Sequence, residues 1–304
     1  MCAAPLIFDR SLLRARLGRA ARLRDDGAAF LVERAAADLS DRMAAVLRSF
    51  AVAGDIGTPT GHAVAALRAS GQVETVLRLA PSPSMEKSAV PTAVADEERL
   101  PLADTSIDLA VSLLALQSVN DLPGALTQIR RALRPDGLFL GCLVGGGTLG
   151  ELRQAFTVAE AEVEGGASPH VAPFADVRDL GGLLQRAGFA LPVTDLDSLT
   201  VRYADPFALL RDLRAMGATN VLVARRRTPL RRATLLRMAE VYAERFADPD
   251  GRVRATFELV WLSGWAPHES QQKPLKPGSA KARLADALGV VENPTATNGL
   301  KPKD

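Results

Sequence analysis

The stretch Asp55-Ile56-Gly57-Thr58-Pro59-Thr60-Gly61 has the residue types and spacing to receive a cofactor. Glycines at a strand-to-helix turn let backbone N–H groups approach an anionic or polar ligand. Gly57 and Gly61 are spaced for this, while Pro59 withdraws one donor. Asp55 either touches the ligand or accepts N–H groups of its own loop. Many α/β proteins need glycine here for the turn alone, so the stretch is weak evidence by itself. The three histidines, His62, His170 and His268, lie far apart. His170 and His268 with a carboxylate such as Glu269 have the ligand types of an iron facial triad. None of them share helical or hairpin spacing, so the expectation is no metal site. His170 then orders a Gly/Pro loop, His268 anchors the tail, and His62 is a surface residue. Arg225-Arg226-Arg227 with Arg231 and Arg232 offers a basic docking face or a solvated helix start. No general base of defined geometry is visible, and no catalytic residue is assigned.

The glycine turn requires a strand before it and a helix after it. Ala51 to Ile56 is a short apolar run, and His62 to Ser70 continues as a helix. Ahead of them, 10–24 reads as a surface helix and 27–49 as an amphipathic one. Further strands fit Val73–Leu79, Ile107–Leu114 and Leu138–Val144, with a proline-rich loop over 80–91 and a helix from Leu122 stopped by Arg134-Pro135-Asp136-Gly137. Alternating strands and helices at this spacing predict a parallel α/β sheet. After Gly147 the pattern changes. Helices fit 148–163, 176–187, 206–216 and 229–246, and antiparallel strands fit Leu196–Tyr203 and Val253–Leu262. Residues 266–304 read as an extended or partly disordered tail.

Composition narrows the function classes. A chain of 304 residues accommodates one core of about 200 residues plus additions. A net charge of +2 gives no electrostatic case for nucleic acid. No apolar run reaches the ~18 residues of a membrane helix, so no integral membrane segment is expected, and at most peripheral association. Cys2 and Cys142 make neither a disulfide framework nor a CxxC zinc pair. All but six of the 37 basic residues are arginine, a bias associated with GC-rich bacterial genomes. Pro5, Asp9 and Arg10 interrupt any secretory apolar region, so the expected location is the bacterial cytoplasm.

Ala95-Asp96-Glu97-Glu98, Ile107-Asp108-Leu109-Ala110-Val111 and Leu133-Arg134-Pro135-Asp136-Gly137 together resemble the class I S-adenosylmethionine-dependent methyltransferases in order and spacing. A narrower resemblance spans nearly the whole chain. It rests on Ile7-Phe8-Asp9-Arg10, Val119-Asn120-Asp121-Leu122-Pro123, Glu164-Gly165-Gly166-Ala167-Ser168-Pro169-His170, Asp179-Leu180-Gly181, Arg186-Ala187-Gly188-Phe189, Gly264-Trp265, His268-Glu269-Ser270-Gln271 and Gly278-Ser279-Ala280. These are similar to the complex I assembly factors with a methyltransferase fold, whose mitochondrial member hydroxylates an arginine of a complex I subunit. The biotin-pathway methyltransferase acting on malonyl-acyl carrier protein is a more distant cousin.

The resemblance implies a Rossmann-like, seven-stranded, mainly parallel sheet. An N-terminal helical segment (1–50) would precede a methyltransferase-like domain (51–265) with helical cap insertions at about 148–188 and 205–250. It implies S-adenosylmethionine as cofactor, held by Asp55, Gly57, Thr58, Gly61, Asp96 and Glu97, with the acidic pair near the adenine. It implies a complex I subunit as partner, modified or escorted. The alternatives are a conventional methyltransferase on a small or carrier-bound acid and a cofactor-free scaffold. Three departures bear on the cofactor. Pro59 replaces the central glycine of the family loop, Arg78 and Leu79 stand where an acid binds the ribose, and Gln117-Ser118 replaces His-Trp. S-adenosylmethionine binding that is weakened or lost is the expectation. The segment from His268 to about residue 282 is expected to dock, because Trp261 and Trp265 need cover and prolines pre-set an extended path.

Overall fold

The computed structural model describes residues 6–23, 26–82 and 90–272. β1 (Phe50–Ile56), β2 (Val73–Ala80), β3 (Thr92–Val94), β4 (Ile107–Leu113) and β5 (Leu133–Val144) are mutually parallel. β7 (Val253–Trp265) runs antiparallel to β5, and β6 (Ala190–Tyr203) antiparallel to β7. The order is β3-β2-β1-β4-β5-β7-β6, seven strands among the described residues. This is the mainly parallel, Rossmann-like sheet expected. β4 is buried at all but one position because helices cover both faces.

On one face lie α2 (Phe30–Ala45) and α3 (His62–Ala69), packing Leu39, Met43 and Leu67 against Phe50, Leu109 and Trp261. On the other lie α4 (Leu122–Ala132) and α6 (Val177–Arg186), whose Ile129, Leu180 and Leu184 meet Phe139 and Leu262. A third cluster forms the cap. There α5 (Gly150–Glu164), α7 (Pro206–Ala215) and α8 (Arg232–Phe246) bury Phe156, Leu209, Met238 and Tyr242 around Phe257. The expected insert at about 148–188 is therefore divided. Only α5 joins the cap. α6 carries its apolar stripe, Leu180 and Leu184 one turn apart, onto the sheet beside α4.

The cap stands on an extension of the sheet. Pairing of β7 with β5 ends at Val144↔Leu259, whereas pairing with β6 continues to Tyr203↔Val253. Glu258 ties the root of this arm to the loop after β5. Its carbonyl accepts from Gly145 N at 2.9 Å, and its carboxylate accepts from Gly147 N at 2.6 Å.

Other boundaries shift for local reasons. β3 is too short to register in periodicity. β5 begins at Leu133 instead of Leu138, because Asp136 adopts φ 62° and Gly137 follows within a strand irregularity, so the turn-like sequence does not end the pairing. β6 starts at Ala190, six residues before the expected start, since its outer face alternates and only β7 supports it. The chain divides after His268, and of the second unit only residues 269–272 are described. The expected docking of the tail to residue 282 lies outside the described residues. Among the described residues no helix is long and apolar enough to cross a membrane.

Candidate functional site

Ligands of open α/β sheets bind where the strands end at their carboxyl edge. There the loop after β1 is fixed from below. Gly57 N donates to Leu79 O at 2.9 Å. Thr58 Oγ1 accepts from Leu113 N at 3.1 Å, and Thr58 O accepts from Arg78 Nη2 at 3.3 Å. Asp55 is fully buried, with a carboxylate oxygen 3.7 Å from Arg78 Nε. Burial pushes the Asp55 carboxyl up to about 7, against the pull of Thr58 and Arg78. Gly57 has φ 74°, and a Cβ there would lie 2.6 Å from Glu97 Oε1. Gly61 has open space around the same position. Gly57→Ala should therefore lower stability by about 2 kcal/mol, combining left-handed strain with displacement of Glu97. Gly61→Ala should be near neutral. Thermal melts of the two variants check this, and equal melting temperatures would remove the special role of Gly57.

The acidic pair is engaged by the N-terminal helix, α1 (Arg10–Leu23). Arg10 Nη2 donates to Asp96 Oδ1 at 2.8 Å and to Glu97 Oε2, while Nη1 donates to Ser118 O at 3.0 Å. Arg14 pairs with the other Asp96 oxygen. The approach of α1 is set by Asn120, whose Oδ1 accepts from Ile7 N and Phe8 N, both at 2.8 Å. Phe8 also bridges Leu222. Burial opposes ionisation of Asp96, but Glu98 N–H and Arg10 outweigh it and hold the carboxyl below its usual range. At Glu97 burial wins over Arg10, and the carboxyl is raised.

Between the glycine loop, α1, α2 and the cap lies a cavity of 640 Å³, within the roughly 300–1,000 Å³ of small-molecule sites. Gly57, Gly61 and Glu97 line it, together with Pro59, Arg78 and Gln117. Asp55, Thr58 and Asp96 do not; the Asp55 and Thr58 side chains are buried beneath the loop. The structure thus brings three of the six expected cofactor residues to the lining of one cavity, with Asp55 and Thr58 buried next to it and Asp96 partly exposed. Around the cavity Arg78 lies against Asp55 and Thr58, Pro59 offers no N–H, Arg10 pairs with Asp96 and Glu97, and Arg14 pairs with Asp96.

His170 also faces the cavity, stacked on Phe156 with ring centroids 3.8 Å apart. Its Nε2 is 3.0 Å from Glu160 Oε1, and Glu160 also accepts from Ser168 Oγ at 2.9 Å. This is the loop-ordering role expected of His170. Glu164, before the same loop, accepts from Thr234 Oγ1 at 2.6 Å and from Arg226 at 3.2 Å. His62 Nδ1 lies 2.8 Å from Thr60 Oγ1 at the cavity rim, so it is not merely a surface residue. Among the described residues no group of three or more His, Cys, Asp or Glu is arranged to hold a metal ion. Sequence reasoning missed Arg10, Asn120 and Glu160. The first two stand in the motifs Ile7–Arg10 and Val119–Pro123, but no spacing rule relates positions this distant.

Residues 54–141 match the family model described as a methyltransferase domain. The chain is 40% identical to the arginine-hydroxylase NDUFAF5 of Danio rerio, covering 92% of this chain and 89% of that protein. The human NDUFAF5 is 40% identical, covering 94% and 84%. The malonyl-[acyl-carrier protein] O-methyltransferase of Laribacter hongkongensis is 35% identical, covering 89% and 94%. Among solved structures, a Bacillus halodurans protein assigned to the methyltransferases superposes with a TM-score of 0.53 at 15% identity, covering 76% of this chain and 98% of that one. The last likeness speaks for the fold alone. The first two span nearly the full length of both partners, and the chain belongs to the family of the methyltransferase-fold arginine-hydroxylase NDUFAF5.

Proposed function

We propose that this protein serves the assembly of respiratory complex I in the bacterial cytoplasm, modifying or escorting one of its protein subunits. Arginine hydroxylation, the activity carried in the name of its relatives, is the proposed modification. One observation carries the reading. Segments outside the methyltransferase match at 54–141 form walls of the site: Arg10 enters the acidic pair and His170 faces the cavity. The Laribacter relative also spans most of the chain, but at 35% identity against 40% for the Danio relative. Binding of S-adenosylmethionine is proposed to be weakened. Loss of a charged bidentate acceptor for the ribose removes about 1.5–3 kcal/mol, roughly ten- to hundred-fold in affinity.

Deleting the gene should abolish or sharply reduce assembled complex I, measured on native gels. Mass spectrometry of the complex I subunits should show one arginine that is hydroxylated only when this protein is present. Intact complex I in the deletion strain would sink the proposal. If assembly fails with no arginine changed, escort stands and modification falls. Methylation of a carrier-bound acid by the purified protein would instead support the reading nearer the Laribacter relative. Calorimetry with S-adenosylmethionine separates an enzyme that uses this cofactor from a scaffold that does not.

A further inference from the structure

The cap half of the cavity has chemistry that the proposed function does not use. Its walls are apolar: Leu17 of α1, Leu31 of α2, Leu152 and Phe156 of α5, Leu213 of α7 and Phe257 of β7. Beside this chamber lies a second recess of 460 Å³, lined by Arg16, Arg225, Arg226 and Arg227. His170 and Asn220 border both spaces, so one opens next to the other.

The charge in the recess is unbalanced. Arg226 is neutralised by Glu164 at 3.1 Å, and Arg225 shares Asp9 at 3.2 Å. Arg16 donates to the Asn220 carbonyl, and among the described residues neither it nor the exposed Arg227 is in an ion pair. Among these residues four guanidinium groups face three carboxylates, Asp9, Glu160 and Glu164, beside a chamber with no charge of its own at the cap end. Arginine clusters of this kind hold carboxylate or phosphate oxygens, often in bidentate fashion. An apolar chamber holds hydrocarbon.

We propose that the cavity binds a single-chain anionic amphiphile, its carboxylate or phosphate head at Arg16 and Arg227 and its hydrocarbon chain in the chamber under α1 and the cap. The site is distinct in chemistry from the acidic pair at Asp96 and Glu97. It does not depend on the complex I reading, and its test uses no complex I.

The experiment titrates the full-length protein with 11-(dansylamino)undecanoic acid and follows dansyl fluorescence. A saturable rise is expected, reversed by palmitic acid but not by hexadecanol, which has the chain without the charge. Displacement by palmitate but not by lysophosphatidic acid assigns a carboxylate head; the opposite result assigns a phosphate. The variant Arg16→Gln/Arg227→Glu should weaken binding about a hundred-fold or more, roughly ten-fold for each of the two charged hydrogen bonds lost. Leu17→Trp, which fills the chamber, should shift preference to shorter acids without altering the head-group dependence. Circular dichroism of both variants establishes that they are folded. A dansyl signal that does not saturate overturns the proposal. So does equal competition by hexadecanol, or an unchanged affinity in a folded Arg16→Gln/Arg227→Glu variant.

Discussion

Replacing Arg10 by alanine should destabilise the fold by about 3–5 kcal/mol, the usual cost of breaking a buried ion pair from one side. The Arg10 side chain is 11% exposed and that of Glu97 5%, so water cannot replace the lost partner. Asp96 would keep Arg14, but Glu97 would be left buried beside Gly57 with its charge unopposed. Burial already raises the Glu97 carboxyl above its ordinary range, and without Arg10 it rises further. An acid raised in the folded state costs stability progressively as the pH climbs from its unfolded pKa to its folded one. The loss in Arg10→Ala should therefore shrink as the pH is lowered. Adding Glu97→Gln to Arg10→Ala should recover a large part of it, since the pair is then removed from both sides. Urea denaturation of the two variants at acidic and alkaline pH measures all three effects. A loss under about 1 kcal/mol, or one independent of pH, would show that α1 is held by its apolar face alone.

The contribution of Asp55 to the stability of the unaltered protein should fall as the pH rises from about 4 to about 7. Its carboxyl is pushed from 3.8 to about 7 by complete burial, with Thr58 and Arg78 only partly compensating. Between these values the unfolded chain has released the proton that the folded chain retains. Raising the pH across that window favours unfolding, and the stabilisation present below 3.8 is lost as the folded pKa is passed. The shift corresponds to an effect on the order of 4 kcal/mol. Asp55→Asn cannot ionise and should remove this contribution to the profile between about pH 4 and 7. Parallel profiles for the two proteins would mean that the Asp55 charge is fully compensated by Arg78 at every pH. Asp96, held low, contributes stability that is lost only as the pH falls through its folded pKa, below this window.

The sheet and its flanking helices were legible because their signals are local. β4 is apolar at nearly every position, and α4 repeats Leu126 and Ile129 on one face beneath the Asp121 cap. The turn at Gly57 and Gly61 was equally readable, since a strand, two glycines and a helix follow one another directly. The site's electrostatics were not. Arg10 meets Asp96 across 86 positions, Arg78 meets Asp55 across two strands, and Glu160 meets His170 around a loop. Each partner is ordinary in its own neighbourhood, and only the completed fold sets one against the other. The same reason explains α6. Its stripe announced an amphipathic helix but not whether cap or sheet would cover it.

The arm formed by β6 and β7 bears on how such a protein changes over evolutionary time. Residues 204–252, including α7 and α8, leave the sheet after Tyr203 and return at Val253, and these two residues are paired on the same rung. A segment whose exit and return coincide can lengthen, shorten or be exchanged without altering the register of any other strand. The part of the cavity wall supplied by α7 and the segment after it, Leu210 to Val221, can therefore diverge as a unit while the strands beneath it stay fixed.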